Sequence, residues 1–387
     1  MVKNADFAFF AFNFFQKFWV KLKICYICIN YKTNSKFIFR QNMKNIEWGK
    51  LSFSYTKTDY IAYSTFKDGK WSPAKLIPDA DIPVSPYAGA FHYASGCFEG
   101  MKAFRGADGK VRLFRPEENA KRMIRSAGFL DLACPSVEQF IEMCVMVVKA
   151  NAEYIPPFET TASLYLRPLL VGTNPQLGIR SSSESTFMVM ASPVGTYSGD
   201  KILVPGTAVI SRNHDRAAPN GSGSYKVGAN YAQSLHPYNL AHKQGYRELL
   251  FTDALTHKYI EEFGSSNFFA VKGNTYITPD SHSVLPSITN ASLRTIAESL
   301  GMKVEMRPIP VTELAEVDEA NSCGTAVVIT PICRIDDKIR LEDETPSHVY
   351  KFGDECGPKS RALYEKMIAI QKGIIDDPFG WIMFVDC

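Results

Sequence analysis

One lysine lies among residues that could make it a reactive amine. Lys226 stands in the segment Gly221-Ser-Gly-Ser-Tyr-Lys-Val-Gly-Ala-Asn-Tyr231. Tyr225, Asn230 and Tyr231 can hydrogen-bond a polar ligand, and the glycines let the backbone approach it closely. An amine that attacks a carbonyl must lose part of its hydration, which a crowded aromatic pocket provides. Since a lysine between glycines is more often a solvated loop residue, the spacing alone gives only a candidate nucleophile.

Three more segments offer groups that bind charge. Ser287-Ile288-Thr289 begins a predicted helix, whose free N–H groups and positive dipole end favour an anion. Gly324-Thr325-Ala326 offers a hydroxyl and close backbone N–H groups. Glu262, before Phe263-Gly264, is a candidate site carboxylate. Each has an ordinary alternative: a routine helix cap, a strand entry and an exposed carboxylate in a turn.

The elements that must position these residues alternate strand-like runs with amphipathic helices, which is typical of an α/β or α+β protein. Asp68-Gly69 and Asp108-Gly109 predict hairpin turns, and helices should begin near Pro116 and at Ser136. Further on, the pattern predicts a helix to about Lys243 and another that begins at Pro286 and ends before Gly301. The strands expected are 164–170, 187–190, 248–253, 259–262, 267–271, 276–278 and 326–329.

Four parts are predicted along the chain, with a boundary at the Gly- and Ser-containing stretch 193–201. They are an N-terminal extension (1–42), a small α/β domain (43–195), a linker (196–212) and a larger domain (213–387). The extension contains no Gly or Pro and shows no clean periodicity. Its apolar stretch is too short for a transmembrane helix, and it lacks a signal-peptide cleavage site. We interpret it as an upstream extension, with Met43 as the true start.

Composition favours a globular protein that acts on small molecules. The 387 residues are 45% hydrophobic and 21% charged, and the net charge is only +3. No basic stripe or acidic tail indicates a nucleic acid or membrane partner. The nine cysteines are scattered, mostly in apolar runs, which indicates reduced thiols and a cytoplasmic setting. Cys25-x-x-Cys28 has no second pair at metal spacing, so no metal site is expected.

Six ordered segments together resemble the branched-chain amino acid aminotransferases, which belong to fold type IV of the enzymes that use pyridoxal 5′-phosphate (PLP). The resemblance runs from about Met43 to the C terminus. It implies a two-domain fold like that of D-amino acid aminotransferase, with a smaller N-terminal domain. The six segments are Phe98-Glu-Gly-Met-Lys-Ala-Phe104, Arg112-Leu-Phe-Arg-Pro116, Tyr165-Leu-Arg-Pro168, Tyr225-Lys-Val-Gly-Ala-Asn-Tyr231, Glu262-Phe-Gly-Ser-Ser-Asn267 and Gly324-Thr-Ala326.

The resemblance implies roles at the cofactor. Lys226 is the expected Schiff-base lysine, and its amine should then shuttle the α-proton as general base and acid. Glu262 should pair with the pyridine nitrogen, which keeps the ring protonated and makes PLP an electron sink. Tyr231 should hydrogen-bond the phenolic oxygen. The other residues implied at the cofactor are Arg122, Thr325 and the backbone amides of Ile288 and Thr289 at the phosphate, and Arg216 as a further active-site arginine.

The resemblance also implies substrate contacts and a homodimer in which the first domain of one subunit contributes to its neighbour's pocket. Tyr93, Phe98 and Tyr165 should surround an apolar pocket that suits leucine, isoleucine and valine. The α-carboxylate should meet the backbone amides of Thr325 and Ala326. Arg167 is the candidate partner of the side-chain carboxylate of glutamate. Val327 and Thr330 replace the Cys-x-x-Cys that animal members often carry, so no thiol switch is expected there.

The expected reaction is a ping-pong transamination between a branched-chain amino acid and 2-oxoglutarate. D-amino acid aminotransferase and aminodeoxychorismate lyase are the rivals that share the fold, but they are shorter and fit segments 98–104 and 112–116 less well. A non-enzymatic small-molecule binder is the rival of another class. The presence of both Lys226 and Glu262 argues against it.

Overall fold

Two sheets with flanking helices make up the computed structural model, which describes residues 43–196 and 201–387. The architecture described below lies within one compact unit, Asn45–Cys387. The extension 1–42, its Cys25 and Cys28, and residues 197–200 lie outside the described residues. In the part that is described, no helix combines the length and the apolar character needed to cross a membrane.

The elements are numbered in chain order. The strands are β1 (Tyr60–Lys67), β2 (Lys70–Trp71), β3 (Lys75–Pro78), β4 (Gly96–Phe98), β5 (Met101–Arg105), β6 (Val111–Phe114), β7 (Ser163–Gly172), β8 (Ser185–Val194), β9 (Gly206–Ser211), β10 (Glu248–Thr252), β11 (Ile260–Phe263), β12 (Asn267–Lys272), β13 (Thr275–Thr278), β14 (Lys303–Met306), β15 (Glu319–Gly324), β16 (Val328–Lys338), β17 (His348–Lys351) and β18 (Ile382–Val385). The α-helices are α1 (Gly89–Tyr93), α2 (Pro116–Phe129), α3 (Val137–Ala150), α4 (Gly228–Ala232), α5 (Leu235–Lys243), α6 (Ile288–Ser299) and α7 (Pro358–Gln371). Short 3-10 turns lie at Trp48–Lys50, Ala152–Tyr154 and Val311–Ala315.

The first sheet is antiparallel, in the order β18-β6-β5-β7-β8-β1-β2, with β3 on β1 and β4 on β7. Its β1–β2 hairpin turns at Asp68 and Gly69, both at positive φ, which confirms the predicted turn. Helices α2 and α3 bury apolar faces in the core that this sheet shares. Their predicted starts are also confirmed: Pro116 is the first residue of α2, and Ser136 caps α3 by accepting from the Gln139 N–H.

The second sheet closes on itself. Its order is β11-β10-β9-β16-β15-β12-β13-β14, and β11 also pairs with β12. The closing pair places Glu262 directly opposite Asn267. Helix α6 packs beside it and ends at Ser299, and Gly301 follows at φ +75°, as expected of a helix that stops at glycine. Both sheets therefore deliver candidate site residues at strand ends or turns.

Some boundaries differ from the sequence-based expectation. The predicted linker, 196–212, contains β9, which pairs in parallel with both β10 and β16 inside the second sheet. Strand β18, in the region expected to be the larger domain, pairs instead with β6 of the first sheet. The strand predicted at 326–329 is wrong at its start, because residues 325–327 form the turn between β15 and β16.

The helix predicted to reach Lys243 is interrupted. It forms α4 and α5 with a break at Gln233 and Ser234. Pro237, at the third position of α5, lacks an N–H group, and its ring would clash with the carbonyl four residues earlier in a continuous helix. The break shortens α4 to the single turn that follows Lys226.

Candidate active site

Lys226 lies in the loop before α4, and neighbouring elements hold its backbone on both sides. Its N–H donates to Ser126 Oγ at 2.9 Å, and its carbonyl accepts from the Phe98 N–H at 3.1 Å. Its Nζ donates to the Tyr231 hydroxyl at 2.8 Å and lies 4.7 Å from the centre of the Phe98 ring. Because α4 begins directly after the loop, its first turn brings the Tyr231 side chain back beside Lys226. The amine is thus fixed between two aromatic rings.

Glu262 is a buried carboxylate of β11. Its Oε1 accepts from the Leu285 N–H at 3.1 Å and lies 2.9 Å from Nη2 of Arg216, while Oε2 accepts from the Asn267 amide at 2.9 Å. Burial raises the pKa of Glu262 to about 7, against the opposing effect of the Arg216 and Lys226 charges. Glu262 is therefore a carboxyl group that changes its charge near neutral pH.

Arg122 of α2 is held in a bidentate ion pair by Glu99, which is fully buried. The pair is formed by Nε to Oε1 at 2.7 Å and Nη2 to Oε2 at 2.8 Å, and the Asn119 amide also donates to Oε2 at 2.8 Å. Burial alone would lower the pKa of Arg122, but the Glu99 carboxylate outweighs it and raises the pKa. The third guanidinium nitrogen donates to the Pro286 carbonyl at 3.0 Å, so a permanent positive charge lies just before α6.

The N-terminus of α6 and the turn after β15 line one small cavity. Ile288, Thr289 and Thr325 contribute to it from these two elements, with Asn119 from α2. The Ser287 side chain accepts from the Asn290 N–H and leaves the earlier N–H groups of the helix free for an anion. The structure therefore brings together the three residues that were predicted to bind phosphate with hydroxyl or amide groups.

A buried ammonium group supports the same turn. Lys102 of β5 donates from Nζ to the Ala326 carbonyl at 2.6 Å. Burial, together with the smaller effect of the nearby positive charge of Lys372, lowers its pKa to about 7. Two residues later, Val328 has a φ of +70°, which is unfavourable for a β-branched residue. The Lys102 contact therefore fixes a turn whose backbone is strained.

Shared residues connect three adjacent cavities into one region. Arg216, Tyr231 and Glu262 line the second small cavity together with Asn267 and Leu285. Asn267 and Leu285 also line a larger cavity of about 370 Å³, to which Arg122 and Ile288 contribute. Apart from Lys226, the predicted cofactor residues thus line one connected space, and Lys226 adjoins it through the Tyr231 hydroxyl.

Phe98, Tyr165 and Arg167 form a contiguous group beside Lys226. The Arg167 guanidinium carbon lies 4.8 Å from the Phe98 ring centre and 5.3 Å from that of Tyr165. Its Nη2 donates to the Tyr165 hydroxyl at 3.3 Å, and its buried Nε has no hydrogen-bond partner among the described residues. A buried N–H donor without a partner fits an acceptor supplied by a ligand.

Tyr93 is placed differently. It ends the short helix α1, is 39% exposed, and donates from its hydroxyl to the Leu177 carbonyl. It lines none of the three cavities described above. Its ring lies beside that of His92, and among the described residues Tyr93 makes no hydrogen bond or ring contact with Lys226 or Phe98.

Several supporting residues were not identified from the sequence. Glu99 and Asn267 both lie inside motifs that were recognised, yet neither was given a role. Asn267 donates to Glu262 and to the Leu285 carbonyl, each at 2.9 Å. The available signal was a charged or amide residue in an otherwise apolar strand end, which must have a partner if it is buried. Ser126 gave no such signal, because a helical serine is ordinarily exposed.

Comparison with known proteins gives consistent matches. The family model "Amino-transferase class IV" matches residues 96–335. A branched-chain-amino-acid aminotransferase of Haemophilus influenzae is 43% identical over 351 residues, covering 89% of this chain and 100% of the relative. One of Helicobacter pylori is 41% identical, covering 89% and 99%.

Solved structures agree in fold. The Escherichia coli branched-chain amino acid aminotransferase has a TM-score of 0.69 at 27% identity, covering 85% of this chain and 100% of that one. The T.th. branched-chain amino acid aminotransferase, solved with pyridoxamine 5′-phosphate, has a TM-score of 0.71 at 26% identity, covering 85% and 99%.

Proposed function

Because this chain belongs to the class IV amino-transferase family, we propose that it is a branched-chain amino acid aminotransferase, which uses PLP to move the amino group of leucine, isoleucine or valine to 2-oxoglutarate. The resemblance found in six motifs is confirmed, and so is the fold class. The observation that carries the proposal is the Lys226 amine, 2.8 Å from the Tyr231 hydroxyl in a region that also holds the buried Glu262.

The residues present fit PLP at both ends. Arg122, the free amides at Ile288 and Thr289, and the Thr325 hydroxyl would hold its phosphate. Glu262 would hold the ring nitrogen at the other end. Arg216 Nε and Ser266 Oγ in the cavity beside Glu262 are buried without partners among the described residues, as expected for a site that completes its hydrogen bonds with a ligand. PLP supplies an electron sink for the bonds at the amino acid's α-carbon.

Lys226 has two tasks in the proposed reaction. Its amine would be the nucleophile that anchors the cofactor, and once freed by substrate its Nζ would take the proton from the substrate α-carbon and deliver it to the cofactor carbon that had been bonded to the lysine nitrogen. Tyr231 and Phe98 keep the amine within a small volume, so that it remains close to the α-carbon in both tasks. The Ser126 hydroxyl fixes the backbone on which the amine is carried.

Glu262 would determine whether the nitrogen of the PLP ring carries a proton. A carboxylate there stabilises a proton on the ring nitrogen by direct electrostatic attraction. Asn267 and the Leu285 N–H fix both carboxylate oxygens, so the group cannot rotate away. Arg216, on the same carboxylate, keeps part of it ionised when no cationic ligand is present.

The substrate carboxylates have two candidate partners. The backbone amides of Thr325 and Ala326, in the turn fixed by Lys102, would receive the α-carboxylate. Arg167 would receive the side-chain carboxylate of glutamate, because its Nε is buried without a partner among the described residues and its guanidinium lies against Phe98. The apolar faces of Phe98 and Tyr165 would receive a branched side chain.

We also propose a homodimer. Apolar side chains on and near α1 are exposed, which is unusual for a surface that faces only water. They are Tyr87, Phe91, Tyr93, Leu177 and Ile179. A partner subunit over this patch would bury Tyr93 and bring it to a neighbour's pocket, which accounts for its lack of contact with Lys226 within one subunit. Sedimentation of Phe91→Asp tests this: we expect monomers, and an unchanged dimer would contradict the patch.

A cytoplasmic location is proposed as well, since the buried cysteines of the described residues, Cys97, Cys144, Cys323 and Cys356, are free thiols. Thiol titration of the protein from its native cell should find them reduced.

The function is tested by recording the visible absorbance of the purified protein with leucine and then 2-oxoglutarate. We expect a PLP band that is bleached by leucine and restored by 2-oxoglutarate, with glutamate as product. Lys226→Ala should abolish the cycle, whereas the matched control Lys243→Ala, on the exposed side of α5, should keep it. A band that responds to D-alanine alone would favour a D-amino acid aminotransferase. A protein that binds no PLP would overturn the proposal.

A further inference from the structure

The largest of the three cavities, about 370 Å³, is lined by several cationic side chains besides Arg122, which is the one assigned to the phosphate. It lies between α2 and the N-terminal half of α6. Its cationic lining residues are Arg115, Lys121, Arg122, Arg125 and Arg294, and its acidic ones are Glu118 and Asp280. The chain as a whole has a net charge of only +3, so this local excess is not a property of the average surface.

Two of these cations are neutralised by carboxylates. Arg122 is paired with the buried Glu99. Lys121 lies 2.8 Å from Glu118 in an exposed ion pair on the rim of the cavity. Exposed pairs of this kind are weak because water screens them, so Lys121 can exchange Glu118 for another anion.

The other three cations have uncharged partners in the described part of the chain. Arg115 donates to Ser292 Oγ at 2.8 Å. Arg125 donates to the Ser224 carbonyl at 2.5 Å.

Arg294 contacts the sulfur of Met306, and its Nε is buried with no hydrogen-bond partner among the described residues. A guanidinium group that has a buried N–H without a partner and no carboxylate paired with it can bind an anionic ligand. Arg294 lies on the second turn of α6, so it faces the same space as the free amides at the start of that helix.

The cavity adjoins the proposed phosphate site. Arg122 and Ile288 line the large cavity, and Ile288 also lines the small one that contains Thr289 and Thr325. A phosphate group that reached Arg294 would therefore be next to the residues that would hold it in the final complex. None of Arg115, Lys121, Arg125 and Arg294 was assigned to that final site.

We propose that this basic cavity is an entry site for phosphate esters, which captures the phosphate group of PLP before it settles between Arg122 and the N-terminus of α6. The proposal rests on the proposed use of PLP. A cleft lined by one sign of charge concentrates ions of opposite charge and accelerates their association, and salt weakens the effect. The cavity should thus set how fast the phosphorylated cofactor arrives.

The first experiment uses inorganic phosphate as the probe and does not depend on PLP. Calorimetric titration of the full chain at low ionic strength should detect phosphate binding. It should weaken about three- to tenfold in Arg294→Gln and strengthen in Glu118→Gln, which removes negative charge from the same cavity. Lys351→Gln, an exposed lysine on β17, is the matched control and should behave as wild type. Equal phosphate affinity in all four proteins would overturn the proposal.

The second experiment measures the association rate constant of PLP with cofactor-free protein by stopped flow. Arg294→Gln should lower it about three- to tenfold at low ionic strength, and the difference should vanish near 1 M salt, where charges are screened beyond about 3 Å. Pyridoxal, which lacks the phosphate, should bind both proteins at the same rate. A loss that persists at high salt, or that extends to pyridoxal, would identify a merely structural role for Arg294.

The two experiments separate the two proposals. If phosphate binds through Arg294 but PLP does not bind wild type, the cavity takes phosphate from another source and the proposed function fails. If PLP binds and reacts with leucine, but neither the phosphate affinity nor the PLP association rate constant changes in the Arg294 and Glu118 variants, the function stands and the entry site is wrong.

Discussion

Two buried carboxylates of this molecule are held in different ways. Glu99 receives a bidentate guanidinium and an amide, all within 2.8 Å, and faces α2 and the phosphate end of the site. Glu262 has a single ion-pair contact, with Arg216, and burial raises its pKa to about 7. Both carboxylates are held in position, but the Glu262 carboxyl group has a pKa at which its charge can change near neutral pH. Two sides of the site follow from this difference, an anchoring side (Glu99, Arg122, Asn119) and a reactive side (Lys226, Tyr231, Glu262).

This difference predicts how each side should respond to substitution. Breaking a fully paired buried ion pair leaves an uncompensated charge, so the anchoring side should lose stability and cofactor affinity. The groups of the reactive side act only on bound substrate and cofactor. Their substitution should therefore remove turnover while the fold persists.

The largest effect is expected for Lys226→Ala on the reactive side. Turnover with leucine should fall by at least about 10⁴-fold, because the nucleophile and the proton carrier are the same group. The melting temperature without cofactor should change little, since the lysine backbone keeps its bonds to Ser126 and Phe98. The measurement is a single-turnover assay beside thermal unfolding. A variant with wild-type turnover, or one that fails to fold, would remove the distinction between the two sides.

The next effect concerns the anchoring side. Glu99→Gln should lower the free energy of unfolding by about 3 to 5 kcal/mol, because Arg122 is left charged and buried. The double variant Glu99→Gln/Arg122→Gln should be less destabilised than the sum of the single variants, as expected for partners in contact. Chemical denaturation of the four proteins measures this coupling. Additive losses would show that the ion pair does not act as a unit.

The third prediction concerns the pH dependence that only the reactive side should show. Between pH 4.5 and about 7, the folded chain holds a proton on Glu262 that the unfolded chain has released. The stability of the cofactor-free protein should therefore fall as the pH rises through this window, by up to about 3 kcal/mol, since one pKa unit corresponds to about 1.4 kcal/mol. Glu262→Gln should flatten the dependence in thermal unfolding measured at several pH values.

Glu248 is the matched control for that prediction. Burial raises its pKa to about 7 as well, but it lies in β10 and lines none of the three cavities. Glu248→Gln should flatten the same window to some extent. Saturation with PLP should then abolish the contribution of Glu262, because a cationic ring nitrogen favours its ionised form, and should leave that of Glu248 in place. If PLP changed both contributions equally, Glu262 would not be the partner of the ring.

Much of this site could be read from the sequence because its parts are local. The Lys226 loop, the start of α6 and the Glu262 strand end each carry a recognisable run of residues, and the structure brings them around connected cavities. Helix starts at Pro116 and Ser136 were equally local, since capping is decided within one turn.

Long-range pairing could not be read in the same way. Nothing in the residues 206–211 shows that they pair with both β10 and β16, and the return of β18 to β6 joins positions far apart in the chain. Glu99 illustrates the same limit for chemistry: its partner Arg122 lies 23 positions away and is identified only when α2 is packed beside β4.

The smallest effect separates the two members of the anchoring side that touch Glu99. Asn119, an uncharged side chain, donates one hydrogen bond to Glu99 Oε2 and one to the Gly100 carbonyl at 3.2 Å. Asn119→Ala should cost about 1 to 3 kcal/mol in the free energy of unfolding, because the carboxylate loses one of its donors but keeps the guanidinium. PLP affinity should fall less than in Glu99→Gln, since Arg122 remains in position. A loss of affinity as large as that of Glu99→Gln would mean that the amide, and not the ion pair, orients Arg122, and the anchoring side would then depend on hydrogen-bond geometry more than on charge.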